Sequence, residues 1–322
     1  MPDKLLISVS PHIHSGATTP RIMFTVCLSL LPAVVVSAAV FGLRAFYLYL
    51  ITVLSCVVFE SAFNRIARRP NSASDGSAIL TGILLAMNLP VSAPWWIAVV
   101  GGFVSIVIAK MVFGGLGGNL FNPALVGRAF LLVSFPVQMT AFAVSGVDSV
   151  SGATVLAAAK TYLLANDGSL AGFQTPELWR LFVGFTAGSL GETSTLALLI
   201  GGILLICMRI ITWHIPVSFI GTVFLLTLGH SMAYPDAVLP PAVHLMSGGL
   251  ALGAFYMATD YVTTPLYAKG KLIFGVGCGV ITVAIRFFGG YPEGVAFAIL
   301  IMNAVTPLLD RYLRPRAYGE AK

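Results

Sequence analysis

Apolar runs long enough to cross a lipid bilayer recur along almost the whole chain, and that property removes most folds from consideration. A hydrocarbon core about 30 Å thick takes roughly 20 helical residues to cross. Lipid offers no partner for backbone N–H or C=O groups, so each run must be helical. The expected segments are 22–41, 45–64, 77–92, 95–113, 120–136, 192–208, 214–232, 242–258, 271–289 and 293–310. Composition agrees: 57% of residues are hydrophobic, 9% are charged and mean hydropathy is +0.93, where a soluble domain is about 25% charged. The sequence predicts an all-α polytopic membrane protein of about ten transmembrane helices. The third segment is short, lying between Asp75 and Pro90, and is expected to be broken or tilted.

Lys and Arg placement sets the orientation. With a cytoplasmic N-terminus, thirteen of the 18 basic residues fall inside, Arg65, Arg68, Arg69, Lys269 and Lys271 among them. Only Arg44, Lys160, Arg180 and Arg286 fall outside, and Arg128 lies within a span. Residues 1–21 and 311–322 are therefore expected in the cytoplasm, and 137–191 as an extracytoplasmic connection. Met1 to Arg21 places Asp3, Lys4, Pro11, His12 and His14 before the first apolar run, unlike a cleavable signal peptide, so the first span is expected to stay as an anchor. The membrane halves 22–136 and 192–310, five helices each, have the layout of two inverted repeats. The net charge of +6 follows from the cytoplasmic bias and not from the clustered basic face that nucleic acid requires. Cys27, Cys56, Cys207 and Cys278 each sit alone in an apolar run and read as small buried packers, not iron–sulfur ligands. His214, His230 and His244 are scattered singly, so no metal site is expected.

Glycine-rich polar strings interrupt the apolar pattern: Asp75-Gly-Ser-Ala-Ile-Leu-Thr-Gly82, Gly114-Gly-Leu-Gly-Gly-Asn-Leu-Phe-Asn-Pro-Ala-Leu-Val-Gly127, Gly188-Ser-Leu-Gly-Glu-Thr-Ser-Thr195, Met257-Ala-Thr-Asp-Tyr-Val-Thr-Thr-Pro265 and Gly290-Tyr-Pro-Glu-Gly294. Irregular backbone at membrane depth is tolerated only where protein buries it or a cavity receives it. In the connection, Asp148-Ser149-Val150-Ser151-Gly152-Ala153-Thr154 reads D-x-x-S-G-A-T, the signature that a flavin transferase esterifies with FMN at the final threonine. A second S-G-A-T, Ser15 to Thr18, has His12 where the aspartate should stand and falls on the cytoplasmic side. The bland alternative for the first copy is a surface turn with Gly152 at positive φ.

These strings, with Ser10-Pro11-His12, Arg21-Ile-Met23 and the heptad, occur in the same order in the family of D subunits of the Rnf complex, which the chain resembles over essentially its whole length. A homologous family, the B subunits of the sodium-translocating NADH:quinone reductase, shares most of the motifs but has a longer N-terminal extension; the short start fits Rnf. The resemblance implies a flavoprotein component of an ion-translocating ferredoxin:NAD oxidoreductase in the bacterial cytoplasmic membrane. It implies covalent FMN on Thr154, a second, noncovalent riboflavin deeper in the bundle, and coupling of electron transfer to Na⁺ or H⁺ movement. Expected partners are the other Rnf subunits, including a second FMN-carrying subunit and iron–sulfur subunits, and the flavin transferase during maturation.

Candidate cofactor-binding residues carry plain alternatives. Thr154 is a tether and not a catalytic nucleophile; Ser151 and Gly152 allow close approach, and Asp148 serves recognition or orders the turn. Asn119 and Asn122 either hydrogen-bond an isoalloxazine edge or cap the helix at Pro123. Arg128 either neutralises a flavin or pairs with a buried carboxylate. Ser189 and Glu192 have capping-box spacing, and the helix start they mark either is only that or cradles the FMN phosphate. Asp75 and Asp260 help form an ion or flavin site or cap helices, and Glu60 is expected to pair locally with Arg65. The competing function is a cofactor-free transporter or channel for a small solute.

Overall fold

The computed structural model describes residues 18–70, 72–143, 151–166, 168–184, 188–235, 237–291 and 293–314. Asp148, residues 15–17 of the second S-G-A-T and most of both expected cytoplasmic ends lie outside them, and of Ser151 and Gly152 only the backbone is described. The first half comprises α1 (Thr19–Phe41), α2 (Leu43–Ile66), α3 (Ser77–Met87), α4 (Trp95–Phe103), which runs on as a π-helix over Val104–Met111, and α5 (Pro123–Ser134). The connection holds α6 (Pro136–Thr140), the two-residue strands β1 (Phe142–Ala143) and β2 (Ser151–Gly152), α7 (Val155–Ala165) and α8 (Leu178–Val183). The second half comprises α9 (Thr195–Cys207), α10 (His214–Ala233), α11 (Pro241–Met246), α12 (Leu250–Leu252), continued as a π-helix over Gly253–Met257, α13 (Ala268–Phe288) and α14 (Val295–Tyr312).

Each expected segment carries helix, but α1, α2, α10, α13 and α14 alone among the described residues are long and apolar enough to cross a membrane as single helices. The others are cut short by their polar strings. Helix α3 has 11 residues and ends before Pro90, a length of about 16 Å, half a hydrocarbon core. The segment 242–258 breaks between α11 and α12 at Gly248 and Gly249, with φ of 68° and 66°. Protein, not lipid, receives the freed backbone: Pro90 bridges Ser189, and Leu190 N–H donates to Leu89 C=O at 3.0 Å.

Helix α2 packs on α3 and α4, α10 lies along α13, and the halves meet where α1 touches α9 and α5 touches α14. A two-fold relation between the halves would make these same pairings. At the α1–α9 contact a side chain on Gly201 would strike the Ser29 carbonyl and the Tyr256 hydroxyl, so only glycine permits the approach. Leu28, Val35, Val58, Val133 and Leu225 point outward, as lipid-facing side chains do. A second, smaller core of Leu156, Ala159, Leu181, Leu239 and Val243 ties α7 and α8 onto α11. Helix α7, a packed element inside the connection, was not expected from the sequence.

Candidate functional site

Two polar clefts lie at opposite ends of the bundle. At the end where α1 begins, Pro123 at the first position of α5 needs no N–H partner, and Asn122 caps the helix. The Asn122 Oδ1 accepts from Ala124 N at 3.1 Å and Leu125 N at 3.4 Å, while Nδ2 donates to the Met257 carbonyl at 3.2 Å. Asn119 is 5% exposed and its Nδ2 donates to the Phe121 carbonyl at 3.1 Å. Both line a cleft with Ser77, Lys110, Thr259 and Asp260. Burial pushes the Asp260 carboxyl up, opposed by the Thr263 hydroxyl and the Val262 and Tyr261 N–H groups.

Beside this cleft runs a polar network that the sequence did not suggest. Lys110, on the π-helical turn, lies 2.6 Å from Glu60 Oε2 and donates to Ser77 Oγ at 2.6 Å. Ser72 Oγ donates to Glu60 Oε1 at 2.6 Å and Asn64 Nδ2 donates to Ser72 Oγ at 3.0 Å. The expected local pair with Arg65 is therefore corrected: Arg65 is exposed, and a buried carboxylate is held by a cation that reaches it. Asp75 caps, its Oδ1 accepting from Ser77 N at 2.8 Å.

At the opposite end, α5 presents Arg128 six residues beyond Asn122, about 9 Å along the helix. Its Nη1 donates to Asn88 Oδ1 and its Nη2 to Glu293 Oε2, and Glu192 Oε1 stands 4.0 Å away. Arg128, Asn88, Glu293, Phe142, Gly248, Tyr291 and Phe297 share a second cleft. Arg128 and the two asparagines thus serve different clefts, and the arginine has carboxylate partners. The capping box is not formed: Ser189 and Glu192 sit in a 3-10 turn, and α9 starts later, capped by Ser194 Oγ, which accepts from Ala197 N at 3.2 Å. The intervening turn swings Glu192 inward toward Arg128.

Thr154 is 3% exposed and is the N-cap of α7, Oγ1 accepting from Ala157 N at 3.3 Å. The helix terminus at the Thr154 hydroxyl is therefore that of α7, and not that of α9. Gly152 pairs with Phe142 and Ser151 with Ala143, so the backbone here is a strand and not a tight turn. Six residues on, Lys160 Nζ donates to the Gly289 carbonyl at the end of α13, and partial burial lowers its pKa. Beside α7, Arg286 donates to the His244 carbonyl at 2.7 Å and the Ser247 carbonyl at 3.1 Å.

Cys27, Cys56 and Cys278 are buried packers, whereas Cys207 is exposed on the outer surface of α9. His244 is buried and edges onto Phe287, on which His230 stacks at 4.6 Å. Among the described residues no three His, Cys, Asp or Glu side chains are grouped to hold a metal ion. Sequence reasoning missed Lys110, Asn88 and Arg286, and passed over Glu293 inside its string. The available signal was a polar residue within or beside a span, which should have been asked for a partner, as Arg128 was.

These features define a class: a polytopic helical membrane protein whose interrupted helices enclose a polar cleft at each end. The NQR2, RnfD, RnfE family matches residues 6–319, and the chain belongs to that family. It is 46% identical to the D subunit of the Na(+)-translocating ferredoxin:NAD(+) oxidoreductase complex of Acetobacterium woodii, covering 99% of this chain and 96% of the relative. It is 44% identical to the D subunit of the proton-translocating ferredoxin:NAD(+) oxidoreductase complex of Clostridium ljungdahlii, covering 97% and 96%. To the D subunit of the ion-translocating oxidoreductase complex of Stutzerimonas stutzeri it is 42% identical, covering 94% and 93%.

Proposed function

We propose that this chain is the D subunit of a membrane-bound, ion-translocating ferredoxin:NAD oxidoreductase, carrying FMN esterified through its phosphate to Thr154. The observation that carries the subunit assignment is the end-to-end similarity to three D subunits of ion-translocating oxidoreductase complexes, two of them named for ferredoxin and NAD(+). Their names differ in the ion, Na⁺ in one and the proton in another, so the coupling ion follows from neither. The positive-inside distribution supports cytoplasmic termini and an extracytoplasmic Thr154 in the bacterial cytoplasmic membrane.

The flavin proposal is supported by chemistry at Thr154. Its oxygen already faces the first turn of α7, where free N–H groups and the positive dipole end favour a phosphate. At the opposite cleft, the amides of Asn119 and Asn122, the Thr259 hydroxyl and Asp260 offer the donors and acceptors that a noncovalent riboflavin edge requires. Bound flavin supplies one- and two-electron redox chemistry. The chain's own residues hold it, keep water out of the middle of the bundle, and set the two sites on opposite sides of it. Ferredoxin and nicotinamide chemistry would fall to other subunits, among them a second FMN carrier and iron–sulfur proteins, with a flavin transferase acting during maturation.

The test is in-gel flavin fluorescence of the denatured chain after co-expression with the transferase. Fluorescence is expected in the wild type and in Thr18→Ala and is expected to vanish in Thr154→Ala. Emission that survives loss of Thr154, or never arises, would leave the cofactor-free transporter as the better reading.

A further inference from the structure

We infer, resting on the reading that Thr154 carries FMN, that the cleft walled by Tyr291, Phe297, Phe142, Arg128 and Glu293 receives the tethered isoalloxazine ring. A neighbouring cavity between α7, α10 and α13 competes for that role, and three observations decide between them.

The first is reach. Phe142 pairs across the strand ladder with Gly152, two residues before the tether, so one wall of the cleft is stitched to the acceptor segment itself. Gly248 also lines the cleft and faces α7: a Cβ there would lie 2.7 Å from Leu156 Cδ1 and 2.7 Å from Arg286 Nη2. A side chain there would strike both, so α7 packs directly on the rim of the cleft.

The second is chemistry. A flavin ring is flat, with apolar faces and a pyrimidine edge that reads acceptor, donor, acceptor. Tyr291 and Phe297 offer aromatic faces, their centroids 5.5 Å apart and inclined at 31°. Glu293 Oε1 is buried and receives no hydrogen bond beyond the one its carboxylate shares with Glu192, so it can accept from the ring N3–H. Beside it stands the Arg128 guanidinium, whose five N–H groups exceed the two hydrogen bonds it makes to Asn88 and Glu293. It can donate to a flanking carbonyl.

The third is the state of the rival. That cavity is walled on one side by Leu156, Ala159 and Leu163, so a ring there would have to turn back beneath the helix that Thr154 caps. Its cations already donate to carbonyl groups, Lys160 at the end of α13 and Arg286 at the end of α11, with only the Arg286 Nε left over.

Tyrosine quenches flavin emission by excited-state electron transfer when the two stack, and phenylalanine of the same shape does not. The assembled complex with its transferase is therefore purified as wild type, Tyr291→Phe and Phe287→Tyr, and emission and lifetime are normalised to covalent flavin measured in the gel. Flavin in the other cleft contributes equally to all three, so differences report the tethered ring. Tyr291→Phe is expected to brighten emission several-fold per covalent flavin, with a thermal melt like the wild type, and Phe287→Tyr to change nothing. Unchanged emission in folded Tyr291→Phe, or dimming in Phe287→Tyr, overturns the assignment of the cleft while the attachment at Thr154 stands. Absence of covalent flavin in the wild type removes the tether and both readings together.

Discussion

At the scale of single residues, paired side chains decide what the chain tolerates. Lys110 and Glu60 are 2% and 0% exposed, so removing one partner strands a charge in a medium that cannot solvate it. Glu60→Leu is expected to cost about 3–5 kcal/mol, and Glu60→Leu with Lys110→Met to recover most of it, as thermal unfolding in detergent would measure. Recovery fails if the pair does something other than neutralise itself. Thr154 presents the opposite case. Its cap bond to Ala157 is long, 3.3 Å, so Thr154→Ala is expected to cost about 0.5–1 kcal/mol, too little to explain lost fluorescence by unfolding. That Asn122 caps α5 was readable beforehand, because Asn before Pro at a helix start is a local signal. That Arg128 would find Glu293 was not, since 165 residues separate them and no periodicity in either segment encodes the meeting.

At the scale of elements, hydropathy marks where helices lie but not where they stop. Apolar windows run through Pro90 and Gly248 because the flanking residues stay apolar, yet α3 and α11 end there for backbone reasons. Helix α7 escapes notice because its 11 residues fall well short of a span. Its docking has a kinetic consequence. Thr154 is 3% exposed with α7 packed, so on the proposed attachment a transferase would have to act before docking or on an opened form. Leu156, 6% exposed in the small core beneath α7, holds it down. Leu156→Ala is expected to lower stability by about 2–4 kcal/mol and to raise the initial rate of flavin attachment to the folded apoprotein in vitro. An unchanged or slower rate would mean that docking does not gate the modification.

At the scale of the whole molecule, the two clefts can be tested for independence. Asn119→Leu should reduce flavin released by denaturation and leave gel-fixed flavin unchanged, read as the ratio of extractable to covalent flavin; equal loss of both would tie the clefts to one site. Composition and the charge asymmetry made the membrane class and the bundle legible, but the clefts form only where the halves meet, which no single segment specifies. One more consequence comes from Met257, 2% exposed. Asn122 of one cleft holds its carbonyl at 3.2 Å, and Asn88 of the other approaches its sulfur at 3.7 Å. Met257 therefore stands between side chains of the two clefts. Met257→Ala should let a chain of water molecules through and short-circuit the gradient that the machine exists to build, visible as faster collapse of an imposed pH difference in sealed proteoliposomes, even with every electron-carrying group in place.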